Sequence, residues 1–152
     1  MFLIETRENF LNFIENLGKK VRLLERKYKA DQGGCLWISY CISKRLEEMG
    51  QSYKVVIYTD NTSNTTDIET ILKDEELQHM IISIVDNEIG TSISEKNMKE
   101  HNIRKFTTEM SSDEILKLYE EYDYSPIYDK QNNEKVKRGI DVIFDNYLKH
   151  KI

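Results

Sequence analysis

Proline occurs once in these 152 residues, tryptophan once, cysteine twice and glycine six times. So little proline and glycine excludes a collagen-like or linker-like chain. With 39% hydrophobic and 32% charged residues, the composition is that of a globular protein rather than a disordered one. Long apolar runs are also missing. Nothing approaches the roughly 20 residues that span a bilayer, and the opening Met1-Phe2-Leu3-Ile4-Glu5-Thr6 has neither the basic start nor the apolar core of a secretion signal. Cationic excess is absent as well: a formal charge of -5 argues against a broad nucleic-acid footprint. The expected setting is the cytoplasm, with neither nucleic acid nor membrane as a partner.

The two cysteines, Cys35 and Cys41, are too far apart to bridge, since on one helix six residues rise about 9 Å. Two free thiols suit a reducing compartment. None of His79, His101 and His150 has a partner at the fourth residue on, and no Cys/His spacing matches a structural zinc site, so no metal or cofactor is expected. The length fits one domain, 1–152, with no internal repeat.

Along the chain, Phe10, Ile14, Leu17, Val21, Leu24 and Tyr28 alternate at steps of four and three, the signature of an amphipathic helix over about 5–29. Gly18 leaves open one helix or two. Its apolar seam suits burial in the domain's own core or pairing with a second copy. After the turn Gln32-Gly33-Gly34, a helix from Cys35 to about Met49 is apolar nearly all round at its start, which belongs at the centre of a domain, and it stops at Gly50. Ser52–Thr59 and Leu77–Val85 read as strands. A polar, mobile loop is expected over 60–66, and Asp67 is expected to cap a short helix through Leu72. Asp86-Asn87 is expected to turn the second strand into a hairpin with Glu88–Ser94, and a further strand is expected near Arg104–Glu109. Ser111-Ser112-Asp113-Glu114 is a helix start. An extended link over 124–129 leads to a last helix over about Asn133–Leu148, with Val136, Ile140, Ile143, Phe144 and Tyr147 on one face. Helices and strands in separate blocks predict an α+β domain: a core over about 31–110 in which the Cys-bearing helix packs on a small, mostly antiparallel sheet, between helical elements at 5–29 and 111–149.

Cys35 stands at the first turn of that central helix, where free N–H groups carry partial positive charge and favour thiolate. The ordinary role of a cysteine in an apolar helix is packing. Cysteine acyl transfer needs an imidazole beside the thiol, and His79 opens a strand that a sheet packed on the helix would present to it. The ordinary role for such a histidine is a bond to backbone or solvent.

Gln32-Gly33-Gly34-Cys35-Leu36-Trp37 resembles the glutamine, glycine, cysteine and tryptophan cluster around the nucleophile of papain-like cysteine peptidases. His79-Met80-Ile81-Ile82-Ser83-Ile84-Val85-Asp86-Asn87 is similar to the histidine-led hairpin of that superfamily, which includes transglutaminase-like proteins and cell-wall peptidases. The tail resembles small papain-like proteins of bacteriophages and mobile elements. The resemblance implies Cys35 as nucleophile and His79 as general base and acid. Gln32 would be an oxyanion donor or would only shape the turn, because the family's glutamine lies further upstream. The third member departs from the pattern. The family's apolar-Asp pair is here Ile89-Gly90, a tight hairpin at Asp86-Asn87 would set His79 opposite Ser94 or Glu95, and Glu95 would then orient the ring; Asn87 would need a longer hairpin.

Three functions compete at this point. One is a cysteine hydrolase or acyltransferase acting on the amide or thioester of a peptide or small acyl substrate. Another is an inert papain-like fold, phage-encoded, that binds or inhibits a host protein. The last is a helical interaction protein built on the first helix.

Overall fold

A computed structural model of the chain describes residues 2–30, 34–122 and 128–149, with side chains from residue 7 onward. Among these residues it contains six α-helices and a four-stranded antiparallel sheet, the expected α+β layout. The order is α1 (Phe2–Tyr28), α2 (Cys35–Glu48), β1 (Lys54–Thr59), α3 (Ile68–Lys73), β2 (Leu77–Ile84), β3 (Asn87–Ile89), α4 (Glu95–Glu100), β4 (Arg104–Thr108), α5 (Ser112–Tyr122) and α6 (Asn133–Lys149).

Helix α1 runs unbroken through Gly18. Its seam of Phe13, Ile14, Leu17 and Val21 is buried within the chain's own core, so intramolecular packing is how the apolar face is used. Helix α2 is central. It packs on β2 with one side and on α5 and α6 with the others. Its all-round apolar start follows from this, because every direction meets protein.

The strands run β3-β2-β1-β4. Alternation splits their side chains between two faces. Val55, Ile57, Met80, Ile82 and Ile84 join the main core under the helices, while Val56, Tyr58 and Ile81 form a second, smaller cluster with Ile93, Met98 and Ile103 around α4. The β1–β2 ladder is bulged at its end: Tyr58 pairs with His79 but Thr59 pairs with Leu77, leaving Gln78 as the extra residue.

Three local differences from expectation matter. The hairpin turn is Val85-Asp86, both with positive φ (48° and 63°), so Ile84 pairs with Asn87. That is one residue earlier than Asp86-Asn87. The returning strand also stops at Ile89 rather than reaching Ser94, because Ser94 caps α4 instead, its hydroxyl accepting from the Asn97 N–H at 3.2 Å. The loop after β1 is tied down rather than loose. Thr59 Oγ1 donates to the Glu76 carbonyl at 2.7 Å, Asn61 Nδ2 donates to Glu76 Oε1 at 2.7 Å, and Arg104 donates to the carbonyls of Asn61 and Thr65.

The C-terminal helices are clamped to α2 by polar side chains. Glu47 accepts from the Ser112 N–H at 2.7 Å and from its hydroxyl at 2.5 Å, which places a carboxylate at the N-terminus of α5 where the helix dipole favours it. Burial alone would raise the Glu47 carboxyl, but the bonds from Ser112 and Tyr53 win and hold it below its ordinary range. Ser111 and Glu114 form the predicted capping pair, the Glu114 N–H donating to Ser111 Oγ at 3.2 Å. Arg45 reaches α6, at 3.2 Å from Asp141 and 2.7 Å from Asp145.

Candidate active site

Helix α2 begins at Cys35, seven residues after α1 ends at Tyr28. The Gly34 N–H donates to the Ala30 carbonyl at 2.8 Å, and a Cβ at position 34 would lie 2.8 Å from Ala30 Cβ and 3.0 Å from its backbone. Only glycine permits that approach. Gly34 at the N-cap has no side chain to offer the first N–H groups, and Cys35 is the helix's first residue.

Cys35 lines a cleft of about 10 Å³, room for one water molecule, together with Glu25 of α1, Ile38, Ser39 and Ile42 of α2, His79, Met80, Ile81 and Ile82 of β2, and Ile89 of β3. The cleft lies along the edge of β2, where β3 has already ended at Ile89. Ser39 helps fix α2 against that strand, its hydroxyl donating to the Met80 carbonyl at 3.3 Å. Burial pushes the Cys35 thiol from its ordinary 9.0 up to about 11. Backbone N–H groups of Met80, Leu36 and Cys35 itself oppose the rise, and the negative Glu25 adds to it. The positive start of α2 is therefore outweighed by desolvation, and the resting group is a neutral thiol.

His79 lines the same cleft from the edge of the sheet, but its ring pairs with Tyr58 on the face turned away from α2, so the strand does not present it directly to the helix. His79 occupies the bulged start of β2, is 7% exposed, and its ring centroid lies 6.1 Å from that of Tyr58, its cross-strand partner. Tyr58 in turn donates to Glu88, which also accepts from Lys105 at 3.0 Å, so an anchored aromatic stands behind the imidazole. Burial and that carboxylate push the Tyr58 hydroxyl well above its ordinary range, keeping it protonated.

Glu95 is not opposite His79. It is exposed in the first turn of α4, because the earlier hairpin turn changes the register and the strand ends before reaching it. Gln32 lies outside the described residues, as does the link over 124–127. The carboxylate in the cleft is instead Glu25, 3% exposed, whose Oε1 accepts from the Thr91 N–H at 3.1 Å. Its signal was present in the helical spacing: Glu25 stands four residues after the buried Val21, on the seam side of α1, where a charge is out of place.

Two larger clefts lie elsewhere. One of about 330 Å³ between α2 and α6 is lined by Tyr40, Cys41, Lys44, Arg45, Lys137 and Asp141, and one of about 420 Å³ beside α3 and α5 is lined mainly by acidic and apolar residues. Neither contains a histidine. Among the described residues no group of three or more His, Cys, Asp or Glu side chains is placed to hold a metal ion, and no helix is long and apolar enough to cross a membrane.

No protein-family model, no curated protein and no solved structure matches this chain.

Proposed function

We propose that the protein is a small papain-like cysteine hydrolase or acyltransferase that acts on an amide or thioester, with Cys35 as nucleophile and His79 as general base and acid. The observation that carries this reading is the shared cleft: a thiol at a helix N-terminus and a buried histidine line one cavity beside a carboxylate. A thiol held near 11 is ionised in only about one molecule in ten thousand at pH 7. Attack therefore proceeds by proton transfer rather than from a standing thiolate. The Sγ–H proton passes to the His79 imidazole as the Sγ–C bond forms, and the carbonyl electron pair moves onto oxygen, facing the N–H groups at the start of α2. The imidazolium then protonates the departing nitrogen or sulfur as its bond to carbon breaks. Water or an amine attacks the acyl-enzyme, gives its proton to His79, and Cys35 leaves as the thiol. In this reading Gln32 adds an oxyanion donor or shapes the turn. A cleft of about 10 Å³ holds no more than one water, so in this reading a peptide or acyl substrate lies along the surface and meets Cys35 at the cleft's mouth.

A second reading has a specific observation in its favour. The raised thiol and the one-water cavity equally fit an inert papain-like fold, phage-encoded, that binds or inhibits a host protein. Iodoacetamide labelling at neutral pH, followed by mass spectrometry, separates the two. The hydrolase reading expects Cys35 to be labelled and His79→Ala to slow that labelling by about tenfold or more. An unchanged rate in His79→Ala favours the inert fold and redirects effort to what the protein binds.

A further inference from the structure

The cleft contains a charge that the two-residue reading does not use. Glu25 is carried on α1, outside the helix–strand pair that supplies Cys35 and His79, yet its carboxylate is buried at the edge of β2. Two features of the backbone hold it there. The Thr91 N–H donates to Oε1 at 3.1 Å, and Gly90, with φ +125°, leaves the space it fills: a Cβ at position 90 would lie 2.5 Å from Glu25 Oε1. Any other residue at 90 would expel the carboxylate and adopt a strained backbone. Arg22, one turn earlier on α1, donates to the Gly90 carbonyl at 3.5 Å and fastens the same segment to the helix.

Resting on the proposed Cys35–His79 chemistry, we infer that Glu25 is a positioning residue of this site, a carboxylate delivered by α1 through the space left by Gly90 to hold and compensate His79 while that ring carries the Cys35 proton. A buried carboxylate has opposite effects on the two partners. It opposes a thiolate, adding to the rise that burial already gives the Cys35 thiol, and it favours an imidazolium. A bare thiolate is thus disfavoured here, whereas the balanced state, Sγ bonded to carbon and the proton on His79, is favoured. The other ionisable groups around the ring are Tyr58 of β1, held protonated, and beyond it the Glu88–Lys105 pair, whose charges offset one another.

The test is a cycle on the full-length protein. Glu25→Gln keeps an oxygen for the Thr91 N–H and removes only the charge. Cys35 alkylation is followed from pH 6 to 10 in the wild type, Glu25→Gln, His79→Ala and the double variant, with circular dichroism melts to check folding. Glu25→Gln is expected to slow alkylation near neutral pH by about tenfold, to have no further effect once His79 is gone, and to move the His79 ring titration, read by NMR, to lower pH. Faster alkylation in Glu25→Gln overturns the inference, because Glu25 would then act only by repelling a thiolate. Equal slowing with and without His79 overturns it too, because the role would be structural. Gly90→Ala gives an independent arm: it displaces the carboxylate without removing its charge and is expected to slow alkylation in the same His79-dependent way. If His79→Ala alone leaves Cys35 unaffected, it is the underlying hydrolase reading that fails.

Discussion

Cys35 and Cys41 share one helix, and both thiols are pushed up by burial, to about 11 and about 12. Their surroundings differ. Cys41, 3% exposed, sits mid-helix and feels Asp141 and Lys137 on α6 and Lys44 on its own helix. Cys35 is half-buried at the helix start, among main-chain N–H groups, in a cleft that His79 and Glu25 also line. Resting acidity does not separate the two. In the proposed reading they are separated by His79, which lines the Cys35 cleft and is absent from the described cleft that Cys41 lines.

The contrast is broken most directly by comparing labelling rates in one sample. Cys41 is expected to react only when the protein unfolds, so Cys35 should be alkylated about a hundredfold faster or more in native buffer, with the Cys41 rate rising in step with denaturant. Comparable rates for both sites would erase the distinction. A smaller effect lies in alkaline stability. Both thiols hold their protons longer folded than unfolded, so their contribution is complete below pH 9 and is lost as pH rises through 11 to 12. Each thiol should cost about 1.4 kcal/mol of stability per pH unit in that window, and the half-buried Tyr53 and the buried Tyr58 and Tyr128, also raised, steepen the decline above pH 10. Urea melts at pH 8 to 11 on the wild type and Cys41→Ala should differ by one thiol's share of the slope. The subtlest change is Gly34→Ala, whose methyl must displace Ala30. Destabilisation of roughly 1–3 kcal/mol is expected, together with slower labelling of Cys35 but not of Cys41; equal effects on both would mean that the turn merely supports the helix.

The elements with strong periodicity were readable from the chain alone. The seam of α1, the apolar start of α2, the β-branched runs of β1 and β2, and the capped start of α5 each carry a local pattern that tertiary packing then uses. Helix α4 was missed because it buries none of its own residues and so has no apolar face to announce it. The hairpin was misplaced by one residue because Val85, a poor residue for positive φ, takes a turn position that Asp-Asn chemistry had claimed. That single step moved the expected carboxylate to Glu95. Glu25 was passed over because Leu24 beside it completed the apolar seam, and its meaning depends on Gly90, a contact between distant parts of the chain that no local pattern encodes. Cys35 and His79 were picked out by residue type and element start, and the structure adds the cleft they share.

Trp37, the sole tryptophan, follows Cys35 by two residues. Its indole N–H donates to the Asn133 carbonyl at 3.0 Å, its ring packs on Tyr119, and the Asn133 side chain bonds both Tyr119 at 2.8 Å and Tyr128 at 2.5 Å. Undocking of α6 would strip this indole of its hydrogen bond and undocking of α5 would strip it of Tyr119, leaving Tyr40 of its own helix. The molecule therefore carries its own optical gauge: intrinsic fluorescence, excited selectively at one side chain, reads the seating of the C-terminal helices two residues along α2 from the thiol, with no dye attached and neither cysteine consumed.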